Sequence, residues 1–422
     1  MPSLEVQRYQ FKMPENLSDF DPKSFVEGAR NWIDTLVGDE EEVAVSVSGG
    51  VDSTTVAFLM KEVLGNRLHL YFINDGLRRV IGGRDEHRVT AEMFSGFPDF
   101  EVIHAADRVL PWFEGEDDGS AKREIFRGLY TTLSNRHLAD VSANWIADGT
   151  IAPDIVMTDQ NRQIQHNVNL PYSMRKLEPL APLYKPHVRR VARYLGLSED
   201  FAARIPCPGP AQLLRVGGKF SKEKLRVSQD ATDIVEQMVE EHCRSMWGKP
   251  FKYDEQTGVR TPFQYFATCI DPGMIYDLPL SESLTKSLGR KARCFRTDTN
   301  AMWIDAGVER QEKRLYEPIL WLENVMDGLD GIDDMAGFYD AVTKAAEPAK
   351  IHRVYLRIPG GTLGGYTVGI KAVESDDVRT ARPMNIPMDY LVEMGDRIRR
   401  DAGASMVAYD ISRRPPATIE LF

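Results

Sequence analysis

Six consecutive residues, Ser48, Gly49, Gly50, Val51, Asp52 and Ser53, carry the strongest chemical signal in the chain. Two adjacent glycines let backbone N–H groups come close to a bound anion, and the two serines add hydroxyl donors. The helix expected to start at Val51 places unpaired amides and a positive dipole end at the same spot, so the turn suits a pyrophosphate. Asp52 would repel phosphate unless a cation stands between them, which reads it as a ligand of a nucleotide-bound Mg²⁺. A GxxxxGK[ST] loop and a GxGxxG fingerprint are both absent, so neither of the common nucleotide-binding loops accounts for the turn.

The elements around the turn must hold it rigidly. Val43 to Val47 reads as a buried strand, and Val51 to Leu64 as a helix with Val56, Leu59, Met60 and Val63 on one face. Ahead of them, Asp21 followed by Pro22 is a helix start, with Phe25, Ala29, Trp32, Ile33 and Leu36 as its apolar stripe. Further along, Leu68 to Ile73, Phe100 to His104 and Trp145 to Ala147 read as strands, alternating with helices over Arg84 to Met93 and Ala121 to Leu138. Such alternation predicts an α/β fold: a doubly wound parallel sheet covered on both faces. Gly149 to Pro171 is polar and without period, which predicts a long loop of the kind that is either disordered or functional. After the proline-rich Arg204 to Pro210 the style changes. Helices are expected over Lys222 to Cys243 and Pro387 to Arg400, and strands over Tyr366 to Val373, Ser405 to Ile411 and Thr418 to Leu421, a smaller C-terminal α+β domain. The expected organisation is an arm (1–20), a nucleotide domain (21–215) with its loop at 149–171, and a C-terminal domain (216–422) with an insertion around 247–350.

Charge and cysteine usage narrow the class. With 52 basic against 63 acidic residues the formal charge is −11, which argues against a polyanion such as nucleic acid as the partner. Cys207, Cys243, Cys269 and Cys294 lack paired short spacings, so they are expected as reduced thiols of a cytoplasmic protein rather than a zinc or disulfide framework. No segment approaches eighteen uninterrupted apolar residues, and no membrane span is expected.

The hexapeptide is similar to the signature of the ATP pyrophosphatases, the adenine nucleotide alpha-hydrolase-like enzymes that cleave ATP between its α and β phosphates. Further blocks resemble the synthetase half of the GMP synthase family: FINDGLRR (Phe72 to Arg79), EGEDDGSAKREIFR (Glu114 to Arg127), DGTIAPD (Asp148 to Asp154), QHNVNLP (Gln165 to Pro171), LEPLAPLYKPHVR (Leu177 to Arg189), RIPCPGP (Arg204 to Pro210), KAVESDD (Lys371 to Asp377) and YDISRRPPATIELF (Tyr409 to Phe422). The resemblance implies an ATP-dependent ligase that adenylates O2 of the xanthine ring of XMP and lets ammonia displace AMP, giving GMP, AMP and pyrophosphate, with ATP as co-substrate and Mg²⁺ as cofactor. It implies catalytic roles for Asp52, Asp154 and His166, ATP or pyrophosphate binding by Ser48 to Ser53, Asp75, Gly76 and Gly149, and Mg²⁺ on Asp52. Acceptor-nucleotide binding is implied for Arg79, Arg204, Pro208, Gly209, Arg414, Thr418, Ile419 and Glu420. A lid at 149–171 that excludes water and a homodimer through the C-terminal domain are implied as well.

Departures stand out at four places, the chain start, the lid, the tail and the middle of the second half. The 42 residues before the first strand are too few for the family's glutamine amidotransferase domain, so ammonia is expected from solution, from a separate subunit, or not at all. Met157 stands at the family's lid glutamate, Gln163 near its lid lysine, and Arg414 replaces a lysine. The stretch 247–350 exceeds the family's linker. The altered lid keeps two alternatives open: the same adenylation with another acceptor or nucleophile, amine or sulfur, and a catalytically silent nucleotide binder. Cys207 reads as a structural thiol before a sulfur carrier. The acidic run Asp327 to Asp334 lacks calcium-loop spacing and reads as a turn and helix start. Arg189, Arg190 and Arg193 read as a solvated helix face, and His104, His187 and His352 receive no role.

Overall fold

The computed structural model describes residues 5–141, 143–159, 174–205, 207, 210–254, 257–270, 275–276, 282–283, 285–286, 292–295, 301–304, 313–316, 319–323, 334–346, 352–362, 364–376, 380–415 and 417–420. Its first sheet has six strands: β1 (Val6–Arg8), β2 (Val43–Ser46), β3 (Leu68–Asn74), β4 (Phe100–His104), β5 (Trp145–Ala147) and β6 (Arg175–Glu178). They are ordered β1-β6-β5-β2-β3-β4, and every pairing is parallel. The alternation of side chains across the pleat builds two cores. Val43, Val45, Leu70 and Phe72 face one, while Ala44, Tyr71 and Ile73 face the other.

Helices α1 (Pro22–Leu36), α2 (Val51–Leu64) and α6 (Lys185–Tyr194) pack on one another over the first of these faces. The start of α1 is fixed as expected: the Asp21 carboxylate accepts from the amides of Lys23 and Ser24, with Pro22 in the first turn. Over the other face lies α4 (Gly119–Asp140), which contributes Phe126 and Leu138 to the core. Strand order runs outward from β2 to β3 and β4, then restarts at β5 on the other side of β2. That reversal opens a crevice beyond the carboxyl ends of β2 and β5, the place where doubly wound sheets bind ligands.

Two expectations change here. The N-terminal segment is not only an arm, because Val6–Arg8 adds a parallel edge strand to β6, and Arg8 pairs with Glu178 at 2.7 Å. The segment expected as a continuous loop from Gly149 opens instead with a helix, α5 (Ala152–Asp159), whose start is tied by Asp154 accepting from the Ile151 amide at 3.2 Å. The polar run hid about two helical turns behind its capping carboxylate.

The second sheet has eight strands: β7 (Gln264–Ile270), β8 (Ile275–Tyr276), β9 (Ala292–Phe295), β10 (Ile319–Leu322), β11 (Arg353–Ile358), β12 (Thr367–Glu374), β13 (Arg382–Pro383) and β14 (Met406–Asp410). The order is β7-β12-β14-β11-β10-β9-β8, with β13 paired to β12. Helices α7 (Lys222–Trp247), α8 (Met335–Ala346) and α9 (Met388–Ala402) share its main apolar core. Strands β7, β10 and β11 escape a reading by period, because β7 and β10 are buried at every position and β11 at all but one. The strand expected over Thr418 to Leu421 is not formed among the described residues 417–420; the carbonyls of Thr418 and Glu420 accept from Arg353 instead.

Helix α7 ties the two sheets together. Asp233 accepts from the amides of Gly82 and Gly83 at 2.7 and 2.8 Å, Gln229 donates to the Gly76 carbonyl at 3.0 Å, and Glu236 approaches Arg79 at 3.4 Å. Gly82 and Gly83 have φ of 57° and 76°, a left-handed turn that presents both amides to one carboxylate. Lys122 of α4 donates to the carbonyls of Val216 and Gly218 at 3.1 Å each, closing the joint from the other side.

Candidate active site

A cavity of about 650 Å³ opens beyond β2 and β5. One wall is the turn after β2. The Ser48 amide donates to the Ser53 hydroxyl at 3.0 Å, the two hydroxyls lie 3.1 Å apart, and the Gly50 amide points to the Ser48 hydroxyl at 3.4 Å. Gly49 has φ +76°, and a Cβ there would stand 3.1 Å from a Glu86 carboxylate oxygen. Helix α2 starts at Val51 with Gly50 as its N-cap and no side-chain cap, so its first amides remain for a ligand. Gly149, just past β5, packs directly on this helix start: a Cβ would lie 2.8 Å from the Ser53 nitrogen. Its expected place at the turn is thus a matter of close backbone approach.

Asp52 and Asp154 both line the cavity. The Asp52 carboxylate is held by the Lys185 ammonium at 2.7 and 2.8 Å, a partner contributed by the first residue of α6. Lys185 was not singled out in the sequence, although it lies inside the block from Leu177 to Arg189, because its partner stands 133 residues earlier in the chain.

The floor is a buried charge network. Arg79 pairs with Glu86 at 3.1 Å, and Arg204 lies 3.5 Å from the same carboxylate while donating to the Gly49 carbonyl at 3.1 Å. Burial pushes the Glu86 carboxyl up, but Arg79, Arg204 and Arg78 outweigh it and hold the group below the usual range. Glu86 opens helix α3 (Glu86–Met93). Ser120, Arg123, Glu124 and Arg127 of α4 complete the lining, with Arg123 and Arg127 one helical turn apart. These residues were missed because their block was matched as a segment and no member of it was singled out.

Asp75 and Gly76 do not line the cavity; their neighbours Leu77 and Arg78 do. The Asp75 carboxylate is engaged inward, accepting from the Leu77 amide at 2.9 Å and from Arg78 at 3.0 Å, and burial raises its pKa against the pull of Arg78. Gly76 uses its carbonyl on Gln229. Cys207 does line the cavity, and burial pushes its thiol up against the opposing pull of Arg79 and Arg215, away from the thiolate that sulfur transfer needs.

On the far side the C-terminal tail arrives. Glu420 lines the cavity, its carboxylate taken by Arg215 at 3.2 and 3.3 Å. Thr418 and Ile419 stand behind it. Thr418 bonds to Arg353, and Ile419 packs with Phe266, Val373 and Ala381. Arg414 is not among the lining residues; its backbone pairs both ways with Ala381 at 2.8 Å. His166, Pro208, Gly209, Gln163 and the Met157 side chain lie outside the described residues.

Comparison with known proteins decides the family. Residues 362–421 match the model of the GMP synthase C terminal domain. A glutamine-hydrolyzing GMP synthase subunit of Saccharolobus solfataricus is 30% identical over 410 residues, covering 95% of this chain and 99% of that protein. The protein of the same name from Methanocaldococcus jannaschii is 36% identical over 404 residues, with 95% and 99% covered. The chain belongs to this family of GMP synthase subunits. Among solved structures, an NMN synthetase from Francisella tularensis is similar at 14% identity and a TM-score of 0.36 over 49% of this chain and 85% of that one. The family match extends from the glycine turn to the tail, the two walls that share the cavity. For a member of the GMP synthase family, an ATP pyrophosphatase-type ligase, the parallel sheet with a separate C-terminal sheet is the framework that the alternation of strands and helices predicted. Among the described residues no helix is long and apolar enough to cross a membrane.

Proposed function

We propose that the chain makes GMP from XMP, ATP and ammonia. The observation that carries the reading is that the Ser48–Ser53 turn and Glu420 of the tail border one cavity, so that a nucleoside triphosphate and an acceptor nucleotide can meet in it. The turn amides and the serine hydroxyls hold the β and γ phosphates, which leave together as pyrophosphate. The acceptor's O2 attacks the α phosphorus, the α–β bridging bond breaks, and the adenylated carbon then accepts ammonia while AMP departs with the oxygen. Arg79 and Arg204, already ordered on Glu86, and the α4 arginines give the far side the positive charge that a nucleotide phosphate needs. Asp154, from α5, borders the same cavity and is available to act on the reacting atoms.

Mg²⁺ fits this site in a limited way. Among the described residues no group of three or more His, Cys, Asp or Glu is arranged to hold a metal alone, but Asp52 and Asp154 offer hard oxygens, and Mg²⁺ takes one or two carboxylates together with substrate phosphates. Bound there, the ion would neutralise phosphate charge. Until then Lys185 balances Asp52. We also propose that residues 21–215 and 216–422 act as nucleotide and C-terminal domains, that the latter forms the homodimer, that a separate glutamine amidotransferase subunit supplies ammonia, and that the protein works in the cytoplasm. The relatives lend no support to another acceptor, a sulfur nucleophile or a silent binder.

The test is incubation of the purified protein with Mg²⁺, ATP and ammonium, with and without XMP, following AMP, pyrophosphate and GMP together. Equal amounts of all three, dependent on XMP, are expected. AMP without GMP would reject XMP as the acceptor or ammonia as the nucleophile.

A further inference from the structure

The tail reaches the cavity at Glu420 through residues 417–420, which form no strand and carry only a single β-bridge residue, Ala417. Among the described residues its main chain is held by the side chain of Arg353, the first residue of β11 and only 2% exposed, together with the Thr418 hydroxyl, which donates to the Glu420 carbonyl at 2.5 Å. Nη2 of Arg353 donates to the Thr418 carbonyl at 2.8 Å, the Thr418 hydroxyl at 3.0 Å and the Glu420 carbonyl at 3.1 Å. Nη1 donates to Asp410 at 2.8 Å, and the other oxygen of Asp410 is taken by Lys371 at 3.1 Å and by the Ser412 amide at 2.9 Å. The guanidinium is thus oriented from the sheet side by a buried carboxylate and reads the tail with its other edge. Arg215, stacked on Phe266 at 4.0 Å, fixes the Glu420 carboxylate itself. Main chain and side chain of the tail are therefore set by two different arginines, and a lysine ammonium lacks the planar fork to bridge Asp410 and two carbonyls at once.

We propose that Arg353 is a positioning residue for the acceptor nucleotide: by fixing the main chain of 418–420 it keeps the Glu420 carboxylate in the cavity and so sets acceptor affinity, while ATP binding is left alone. This rests on the acceptor-facing role of Glu420 proposed above. Residues 48–53, which would take ATP, make none of these contacts.

The experiment uses the full chain with ammonium as nitrogen donor and varies XMP and ATP separately. Wild-type protein must first show XMP-dependent release of AMP and GMP; if it does not, the functional reading fails, and Arg353 is not the cause. With turnover in hand, Arg353→Gln is expected to raise the KM for XMP roughly tenfold or more with the KM for ATP within about twofold, and Arg353→Lys to fall between. Glu420→Gln should show the same split, and the double variant should be no worse than the worse single one, because both remove one interaction. Arg353→Gln leaves Asp410 short of a partner and can fail to fold. Thr418→Val, which keeps the Arg353–Asp410 pair, then replaces it in the cycle and should shift the XMP KM in the same direction at an unchanged melting temperature. KM values for XMP and ATP that rise together, effects of Arg353→Gln or Thr418→Val that add to those of Glu420→Gln, or an unmoved XMP KM in Glu420→Gln would each overturn the proposal.

Discussion

The two walls of the cavity are built by opposite means. The wall proposed to face phosphate is local: six consecutive residues running from the turn after β2 into the first turn of α2, bonded mostly to one another, with Gly149 pressed against them. The wall proposed to face the acceptor is assembled from residues far apart in the chain, with Glu420 held by Arg215 and the tail main chain by Arg353. A wall of the first kind is specified by backbone shape and tolerates little steric change. A wall of the second kind is specified by charge pairing and is open to change through any one of its partners. The variants that follow are meant to separate these two modes.

The largest effect is expected at Asp52. Asp52→Ala removes a cavity carboxylate and frees Lys185, and we expect kcat to fall by roughly 10³-fold, the scale of losing one electrostatic element of a transition state. Both partners are about one third exposed, so the melting temperature should hardly move. Calorimetry with XMP alone would then find near wild-type affinity if the walls are separate. Coupled loss of XMP binding would show that they are not.

The acceptor wall should instead respond to pH. Burial raises the Asp410 carboxyl, but Lys371 and Arg353 outweigh it and hold the pKa below the usual range. A carboxyl depressed in the folded state contributes stability that is present above its unfolded pKa, near 3.9, and lost as the pH falls through the folded value. Asp410→Asn should therefore cost about 3 kcal/mol at neutral pH, at the low end for breaking a buried pair, and its deficit against wild type should shrink as the pH falls below about 4. Melting curves from pH 7 to 3 test this; a deficit independent of pH would remove charge pairing as what holds the tail.

These contrasts also explain what could be read from the sequence. The turn, the first helix with its Asp21 cap and the β2-to-β5 part of the sheet were legible because each is announced by neighbours in the chain: a glycine pair, a capping carboxylate, a short valine-rich run. The expectation that Asp75 and Gly76 face the nucleotide came from a matched block; the structure turns Asp75 inward on Arg78, and block matching cannot see orientation. Arg215, Arg353 and Lys185 were illegible because their partners lie 205, 57 or more, and 133 residues away. Strand β7 was missed because burial on both faces erases its alternation.

Gly149→Ala sharpens the steric side of the comparison. With a methyl group 2.8 Å from the Ser53 nitrogen and 2.9 Å from the Asp52 carbonyl carbon, backbone rather than a flexible side chain must shift, at about 1–3 kcal/mol. A displaced turn should lose kcat roughly tenfold to a hundredfold and raise the KM for ATP, with the XMP KM unchanged. Equal effects on both substrates would mean that α2 moves as a body and carries the acceptor wall with it.

The smallest effect is expected at Cys207, and it tests whether cavity lining alone implies chemistry. The thiol borders the cavity near Arg79 and Arg215, cations that would favour a thiolate, yet burial prevails and pushes its pKa up. At neutral pH it is a small neutral group, so Cys207→Ser should change ammonia-dependent turnover less than about twofold, and iodoacetamide should react with it slowly. Alkylation at the rate of a free low-pKa thiol, or loss of turnover in Cys207→Ser, would mean that the arginines win over burial. The acceptor wall would then hold a nucleophile beside its cations, and ammonia would no longer be the sole nucleophile to consider at the adenylated carbon.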